Sequence, residues 1–183
     1  VWAGRGADAI VLHQEILENL KARLGTDHPD TLEQTYTLAI ASRRVGRWDI
    51  SLPLLEQFLE KRRTLLGSTH PSTLGAAHQL ALNYEHVGRF SEAIAIEEKI
   101  LEIDPSRPTT DLYVMASLAR AYQRAGKLDQ ADQLLREALV HLRKREDSIG
   151  QLEAAQRLDL LAVNLLLQGK YAESESVVRE ALT

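Results

Sequence analysis

Apolar residues recur at helical spacing along most of the chain, in stretches separated by glycine. Residues 51–66 and 131–145 are two such stretches, and each presents one apolar face. The only helix breaker among them is Pro53, which lies in a first turn where proline loses no hydrogen bond. The pattern therefore predicts amphipathic helices joined by tight turns.

The helices follow a fixed period. The segment 24–32 reads LGTDHPDTL, and the segment 66–74, which begins 42 residues later, reads LGSTHPSTL. The glycines expected at the turns are Gly4, Gly46, Gly88, Gly126 and Gly169, at intervals of 42, 42, 38 and 43 residues. A period in this range predicts a solenoid, in which each unit buries its apolar face against its neighbours.

Small residues return at fixed points in every unit. Leucine followed by alanine stands about eight residues before each of four turns, at Leu38-Ala39, Leu80-Ala81, Leu118-Ala119 and Leu161-Ala162. A second small residue follows each turn glycine by five positions, at Ala9, Ser51, Ala93, Ala131 and Ser174. Small side chains on both helices of a unit let the two backbones approach closely. We therefore expect antiparallel pairs, with helix A before the turn and helix B after it.

These positions resemble the tetratricopeptide repeat (TPR), whose pattern runs through Leu, Tyr, Ala, Phe and Pro. Asp104-Pro105 matches the terminal proline of that pattern. The period of 42, with His-Pro-Asp-Thr-Leu at the start of helix A, is similar to the kinesin light chain type and to bacterial signalling arrays. The resemblance implies an all-α, right-handed α-solenoid (superhelix) of antiparallel helix-turn-helix TPR units, over a single array at 1–183. It divides into a partial repeat, 1–29, and repeats at about 30–71, 72–109, 110–151 and 152–183.

Composition limits the possible functions. The 183 residues are 44% hydrophobic and carry a net charge of −4, which is typical of a folded chain and argues against a nucleic-acid partner. Cysteine is absent, so disulfides, thiolate metal sites and cysteine nucleophiles are excluded; a cytoplasmic location is expected. No apolar run approaches the roughly 18 residues of a membrane span. Because the chain starts at Val1 and stops inside a helical pattern, we expect it to be a fragment of a longer protein.

The candidates for chemistry are weak. Gly4-Arg5-Gly6 lacks the third glycine and the preceding strand of a dinucleotide fingerprint. His28 and His70 recur because His-Pro opens helix A, where the neighbouring Thr31 and Thr73, or Asp27 and Thr69, are expected to cap the free N–H groups.

Metal and acid–base sites are not predicted either. His78, Glu85 and His86 share a helix face, but Leu82 occupies the position where a metal would need its second ligand. The carboxylate pairs Glu97-Glu98 and Glu173/Glu175 are expected on solvated faces of helix B. No enzyme activity, cofactor or metal is therefore expected.

In tetratricopeptide arrays helix A lines the inner, concave wall, and the resemblance implies which side chains are exposed there. In the first full repeat they are Glu33, Tyr36, Thr37, Ile40, Arg43 and Arg44. The second supplies Gly75, His78, Gln79, Leu82, Glu85 and His86, and the third supplies Tyr113, Ala116, Ser117, Arg120, Gln123 and Arg124. The fourth contributes the apolar set Leu160, Val163, Leu166 and Leu167.

The function expected from this wall is protein–protein interaction. Arginines there suit the carboxylates of an acidic peptide or an exposed C-terminus. An asparagine pair that grips the peptide backbone in kinesin light chains is absent at the matching positions, for example Tyr36-Thr37 and His78-Gln79. Two alternatives stay open: a scaffold that self-associates through its terminal repeats, and the regulatory or docking array of a larger signalling enzyme such as a bacterial Ser/Thr kinase.

Overall fold

The computed structural model describes residues 2–103, 108–145 and 147–182, and within these ranges it contains nine α-helices and no strand. In chain order they are α1 (Trp2–Leu24), α2 (Pro29–Arg44), α3 (Trp48–Leu66), α4 (Pro71–His86), α5 (Phe90–Ile103), α6 (Pro108–Arg124), α7 (Leu128–Leu142), α8 (Ser148–Leu167) and α9 (Tyr171–Ala181). The all-helical prediction is confirmed. The Asp104-Pro105 match lies outside the described residues.

The helices form two compact units, Val1–Arg89 and Phe90–Thr183. In the first unit, α1 packs against α2, α2 against α3, and α3 against α4. The second unit has the same succession from α5 to α9, with an additional contact between α6 and α8. Even-numbered helices correspond to helix A and odd-numbered helices to helix B.

Glycines with positive φ make the turns within each pair. Gly46 has a φ of 77°, and the following N–H, that of Arg47, donates to the carbonyl of Ser42 at 2.9 Å. Only glycine adopts this backbone region without strain, so the turn needs it. The expectation for Gly4 is wrong, because α1 runs unbroken from Trp2 and Gly4 lies within the helix.

The recurring histidines cap the helices that they precede. The Nδ1 atom of His28 accepts a hydrogen bond from the Asp30 N–H at 3.2 Å, and that of His70 accepts from the Ser72 N–H at 3.1 Å. The prediction that neighbouring Thr or Asp residues do this is wrong. Thr31 and Thr73 are buried instead, inside the first turns of α2 and α4. A structural role for the two histidines is thus seen directly.

The recurring small residues are buried. The alanines of the four Leu-Ala pairs are buried, as are Ser51, Ala93, Ala131 and Ser174 after the turns. Around them pack leucines such as Leu135, Leu139, Leu161 and Leu165 in the second unit. This arrangement fits the expected close approach of helices A and B.

One core position carries an acid. Leu55 in α3 and Leu135 in α7 are fully buried, and Glu97 occupies the corresponding position of α5 with 1% of its surface exposed. The hydroxyl of Ser117, itself 1% exposed, donates a hydrogen bond to the Glu97 carboxylate. The expectations that Glu97 lies on a solvated face and that Ser117 is exposed on the inner wall are therefore both wrong. Ala116 is buried as well.

In the described part of the chain, every helix is too short or too polar to cross a membrane.

Candidate peptide-binding site

An open pocket of about 560 Å³ lies along α2 in the first unit. We call it the α2 pocket; it is lined by Glu33, Tyr36, Thr37, Ile40, Ala41, Arg43 and Arg44 of α2, with His13 of α1 and Gln79 of α4. Seven of the residues predicted on the inner wall are thus brought together around one cavity. They are Glu33, Tyr36, Thr37, Ile40, Arg43, Arg44 and Gln79.

His13 is not among the predicted wall residues, because the partial repeat has no helix A from which to transfer a position. The structure links it to α2 through Gln34, whose side-chain nitrogen lies 2.9 Å from His13 Nδ1 and donates to the His13 carbonyl at 3.0 Å. These two contacts fix the wall that α1 contributes to the pocket.

Positive charge is concentrated at the C-terminal end of α2. Arg43 is half-buried, and burial lowers the pKa of its guanidinium, an effect to which the neighbouring Arg44 adds. Glu33 lies ten residues before Arg43, which is about 15 Å along the helix axis. The α2 pocket is therefore basic at one end and acidic at the other.

The remaining wall of the α2 pocket is apolar or neutral. The ring of Tyr36 packs against that of Phe58, with centroids 5.0 Å apart. The side-chain oxygen of Gln79 is buried and accepts no hydrogen bond from any described residue. An incoming N–H group would satisfy it.

The other predicted residues of α4 do not line this pocket. His78, Leu82 and Glu85 are half-buried, and His86 is exposed and stacks on Trp48 with ring centroids 4.6 Å apart. Within the described ranges no three His, Asp or Glu side chains are grouped so that they could hold a metal ion.

In the second unit the predicted residues lie along α6. Tyr113 is 58% exposed, Arg120 is half-buried, and Arg124 is exposed with its guanidinium 5.5 Å from the centre of the Phe90 ring. Gln123 donates to the Leu160 carbonyl at 2.9 Å and so joins α6 to α8.

A further arginine lies near this set. Arg157 of α8 is 4% exposed and donates to the Leu112 carbonyl at 3.1 Å. Burial lowers its pKa, the carboxylate of Glu153 opposes that shift, and Arg120 adds to it. The repeat register could have identified the burial of Arg157, because the matching residue of α6, Val114, is also buried.

Comparison with known families decides what this arrangement of helix pairs is. Two tetratricopeptide repeat profiles match the sequence, one over residues 32–106 and the other over residues 114–149. Together they cover more than half of the chain. The protein belongs to the tetratricopeptide repeat family.

Solved tetratricopeptide structures agree over nearly the full length. TPR-like repeats assigned to a kinesin light chain of Podosopora anserina are 26% identical, with a TM-score of 0.85 over 97% of this chain and 86% of that one. BtubC (BKLC) from P. vanneervenii is 20% identical, with a TM-score of 0.81 over 97% of this chain and 72% of that one. MamA from Desulfovibrio magneticus RS-1, from residue 41 onward, is 12% identical, with a TM-score of 0.66 over 96% and 94%.

The last two likenesses concern the fold alone. A comparison with curated proteins found no match. The predicted fold class, an all-α solenoid of antiparallel TPR units of the kinesin light chain type, is confirmed by these matches. The tetratricopeptide fold is that of a protein–protein interaction module, which is the general function of this chain.

Proposed function

We propose that the α2 pocket binds a carboxylate-bearing segment of a protein partner, such as an acidic peptide or an exposed C-terminus. The observation that carries the proposal is the placement of Arg43 and Arg44 at one end of a cavity of about 560 Å³ whose wall also includes Tyr36 and Ile40. The volume of this cavity is typical of ligand sites, and its mainly polar lining suits a charged ligand.

The partial burial of Arg43 favours a carboxylate as the ligand. Its guanidinium has already lost part of its hydration, so a carboxylate would replace water with two parallel charge-assisted hydrogen bonds. Bonds of this kind contribute roughly 1.5–3 kcal/mol. Glu33 at the other end would repel a second acid, which favours a peptide whose negative charge is confined to one end.

The same binding mode extends to the second unit. Arg120 and Arg124 are one helical turn apart on α6, with the exposed ring of Tyr113 two turns before Arg120. We propose that this face takes a second acidic group of the same class of partner.

The test is fluorescence anisotropy with two labelled peptides of equal length, one with Asp and Glu confined to its C-terminal end and the other with Lys in their place. We expect the acidic peptide to bind more tightly, and the double variant Arg43→Gln/Arg44→Gln to weaken it at least tenfold, which corresponds to about 1.4 kcal/mol. The variant Arg120→Gln/Arg124→Gln tests the second unit in the same way.

The matched control is Arg23→Gln/Arg63→Gln, which removes two exposed arginines from helices B of the first unit. It changes the net charge equally and should leave binding intact. Equal weak binding of both peptides, unaltered by any of the arginine variants, would overturn the proposal.

A second candidate function, self-association through the fourth repeat, rests on a different observation. Val163, Leu166 and Leu167 of α8 are each about half exposed. An apolar face of this kind is covered when a further helix packs on it. Sedimentation velocity over a hundredfold range of concentration would show a growing species, and Leu166→Ser/Leu167→Ser would abolish it. A strict monomer at all concentrations would eliminate this candidate.

These proposals give the chain a binding role without a reaction of its own. A cytoplasmic location remains our prediction, and it agrees with the lack of cysteine in the sequence.

A further inference from the structure

Ion pairs span the groove between helices α7 and α9, on the helix B side of the second unit. Arg136 pairs with Glu173 and Arg143 pairs with Glu180, each at 2.5 Å. Beneath them is a cavity of about 230 Å³. Apolar side chains, among them Leu139 and Val177, form its floor. Opposite charges on facing helices thus close this groove.

The preceding groove, between α5 and α7, is larger and carries charge of one sign. Its volume is about 390 Å³. Leu101, Leu118, Tyr122 and Leu134 form its apolar floor, and its rim consists of Glu98 and Glu102 of α5 with Gln130, Gln133 and Glu137 of α7. We call this the α5/α7 groove.

None of the three rim glutamates has a cationic partner in the described part of the chain. The repeat register explains why this groove differs from the α7/α9 groove. Glu98 aligns with Arg136, and Gln130 aligns with Glu173. The Arg–Glu ion pair of the α7/α9 groove is therefore replaced here by a carboxylate and an amide. Glu137 corresponds to Glu180, but its arginine partner is missing.

Glu98 keeps one contact, a hydrogen bond of 2.6 Å from the Tyr122 hydroxyl. The equivalent carboxylate in the first unit, Glu56, also accepts from a tyrosine, Tyr84 at 2.7 Å, but it has a cation as well, since Arg89 lies 4.0 Å away. The corresponding cation of the second unit is Lys127, which lies 5.6 Å from the Tyr122 ring centre. Glu98 is therefore held in place without being neutralised.

We propose that the α5/α7 groove docks a basic amphipathic segment of a partner protein. Its apolar side chains would lie on Leu101 and Leu134, while Lys or Arg side chains would face the glutamates of the rim. Glu98 and Glu102 are four residues apart and so lie on one face of α5, at a separation that suits cations one helical turn apart. Charge complementarity selects this occupant, since an acidic or neutral segment would leave three like charges facing it.

The test uses a fluorescein-labelled, amidated peptide of about 14 residues, built from Lys, Leu and Ala with lysines four residues apart. Its control is the same peptide with Glu at every Lys position. In anisotropy titrations at low salt the Lys peptide should bind, and added salt should weaken its binding by screening the rim charges. Any binding of the Glu peptide to the arginine-bearing faces should be unchanged by the groove variants. The variant Glu102→Gln/Glu137→Gln should weaken the Lys peptide about five- to tenfold.

This double variant leaves the Glu98–Tyr122 hydrogen bond intact, so the groove keeps its shape. A second variant, Glu98→Arg, places a cation where α7 has Arg136 and should reduce binding further; circular dichroism melting would show that it remains folded. The matched control is Glu15→Gln/Glu60→Gln, two exposed carboxylates of the first unit without ion pairs among the described residues, and it should bind like the parent.

Two results would overturn the proposal. One is binding of the Lys peptide that falls equally in the groove variants and in the control, since net charge alone would then account for it. The other is absence of peptide binding together with a concentration-dependent dimer that the groove variants abolish, since a second copy of the chain would then occupy the groove. Neither result bears on the arginines of the α2 pocket, so this proposal and the proposed function can fail separately.

Discussion

The histidine caps lend themselves to a quantitative test. In α4 the His70 Nδ1 atom accepts a hydrogen bond from the Ser72 N–H at 3.1 Å. Because the imidazole is exposed, its removal eliminates this capping bond and exposes little additional surface. Loss of an N-cap hydrogen bond typically costs about 1 kcal/mol. We therefore expect His70→Ala to lower the free energy of unfolding by about 1 kcal/mol. For a chain of this size, that corresponds to a fall in melting temperature of roughly 2–4 °C.

The decisive comparison is with His70→Asn. Asparagine is among the best N-cap residues and accepts the same N–H, so this variant should be at least as stable as the parent. Urea unfolding followed by circular dichroism measures all three proteins. His28→Ala, at the corresponding cap of α2, serves as an independent repetition of the experiment. If His70→Ala matched the parent, or if His70→Asn lost as much stability as His70→Ala, the capping role would be refuted.

Three other expectations concern buried or capping groups. Ser117→Ala removes a hydroxyl that donates to the buried Glu97 carboxylate and should cost about 1–3 kcal/mol in denaturant unfolding; a neutral effect would mean that Glu97 does not depend on this bond. Ala81→Leu overpacks a position that is 1% exposed and should also cost roughly 1–3 kcal/mol, and a neutral result would show the helix register to be wrong. Asp147 caps α8 by accepting the Gly150 N–H, which lowers its pKa below the ordinary 3.8; its contribution is thus present above 3.8 and lost as the pH falls through the lowered value. Asp147→Asn should flatten that part of the stability profile measured by melting at pH 2 to 5, and an unchanged slope would contradict this assignment.

The sequence predicted the helices well because several independent signals agreed. The period placed Gly46 and Gly126 at turns where the backbone needs positive φ, and the recurring Leu-Ala pairs marked Ala81 and Ala119 as buried. Each of these signals depends on backbone conformation or side-chain size, which the residue type alone determines.

The errors concern side chains whose role depends on their neighbours. Whether His70 or Thr73 caps α4 depends on which acceptor reaches the N–H, and that is a matter of geometry. The sequence indicates a solvated face for Glu97 because acids usually are solvated, although the repeat register aligns Glu97 with Leu55, which is buried. For the site, the sequence predicted that the α2 arginines lie on one face. It could not predict His13, because α1 belongs to the partial repeat, which has no helix A.

The buried acid has a consequence for how a chain of similar units folds. Helix pairs that resemble each other can dock out of order, and such misassembly is characteristic of repeat proteins. Any arrangement that set Glu97 against an apolar helix would bury a carboxylate without the Ser117 hydroxyl, at a cost of several kcal/mol. Helices α5 and α6 are therefore matched to each other by a polar bond, whereas the leucines at the corresponding positions of α3 and α7 would accept many neighbours. The Glu97–Ser117 hydrogen bond therefore favours the native order of helices over its alternatives.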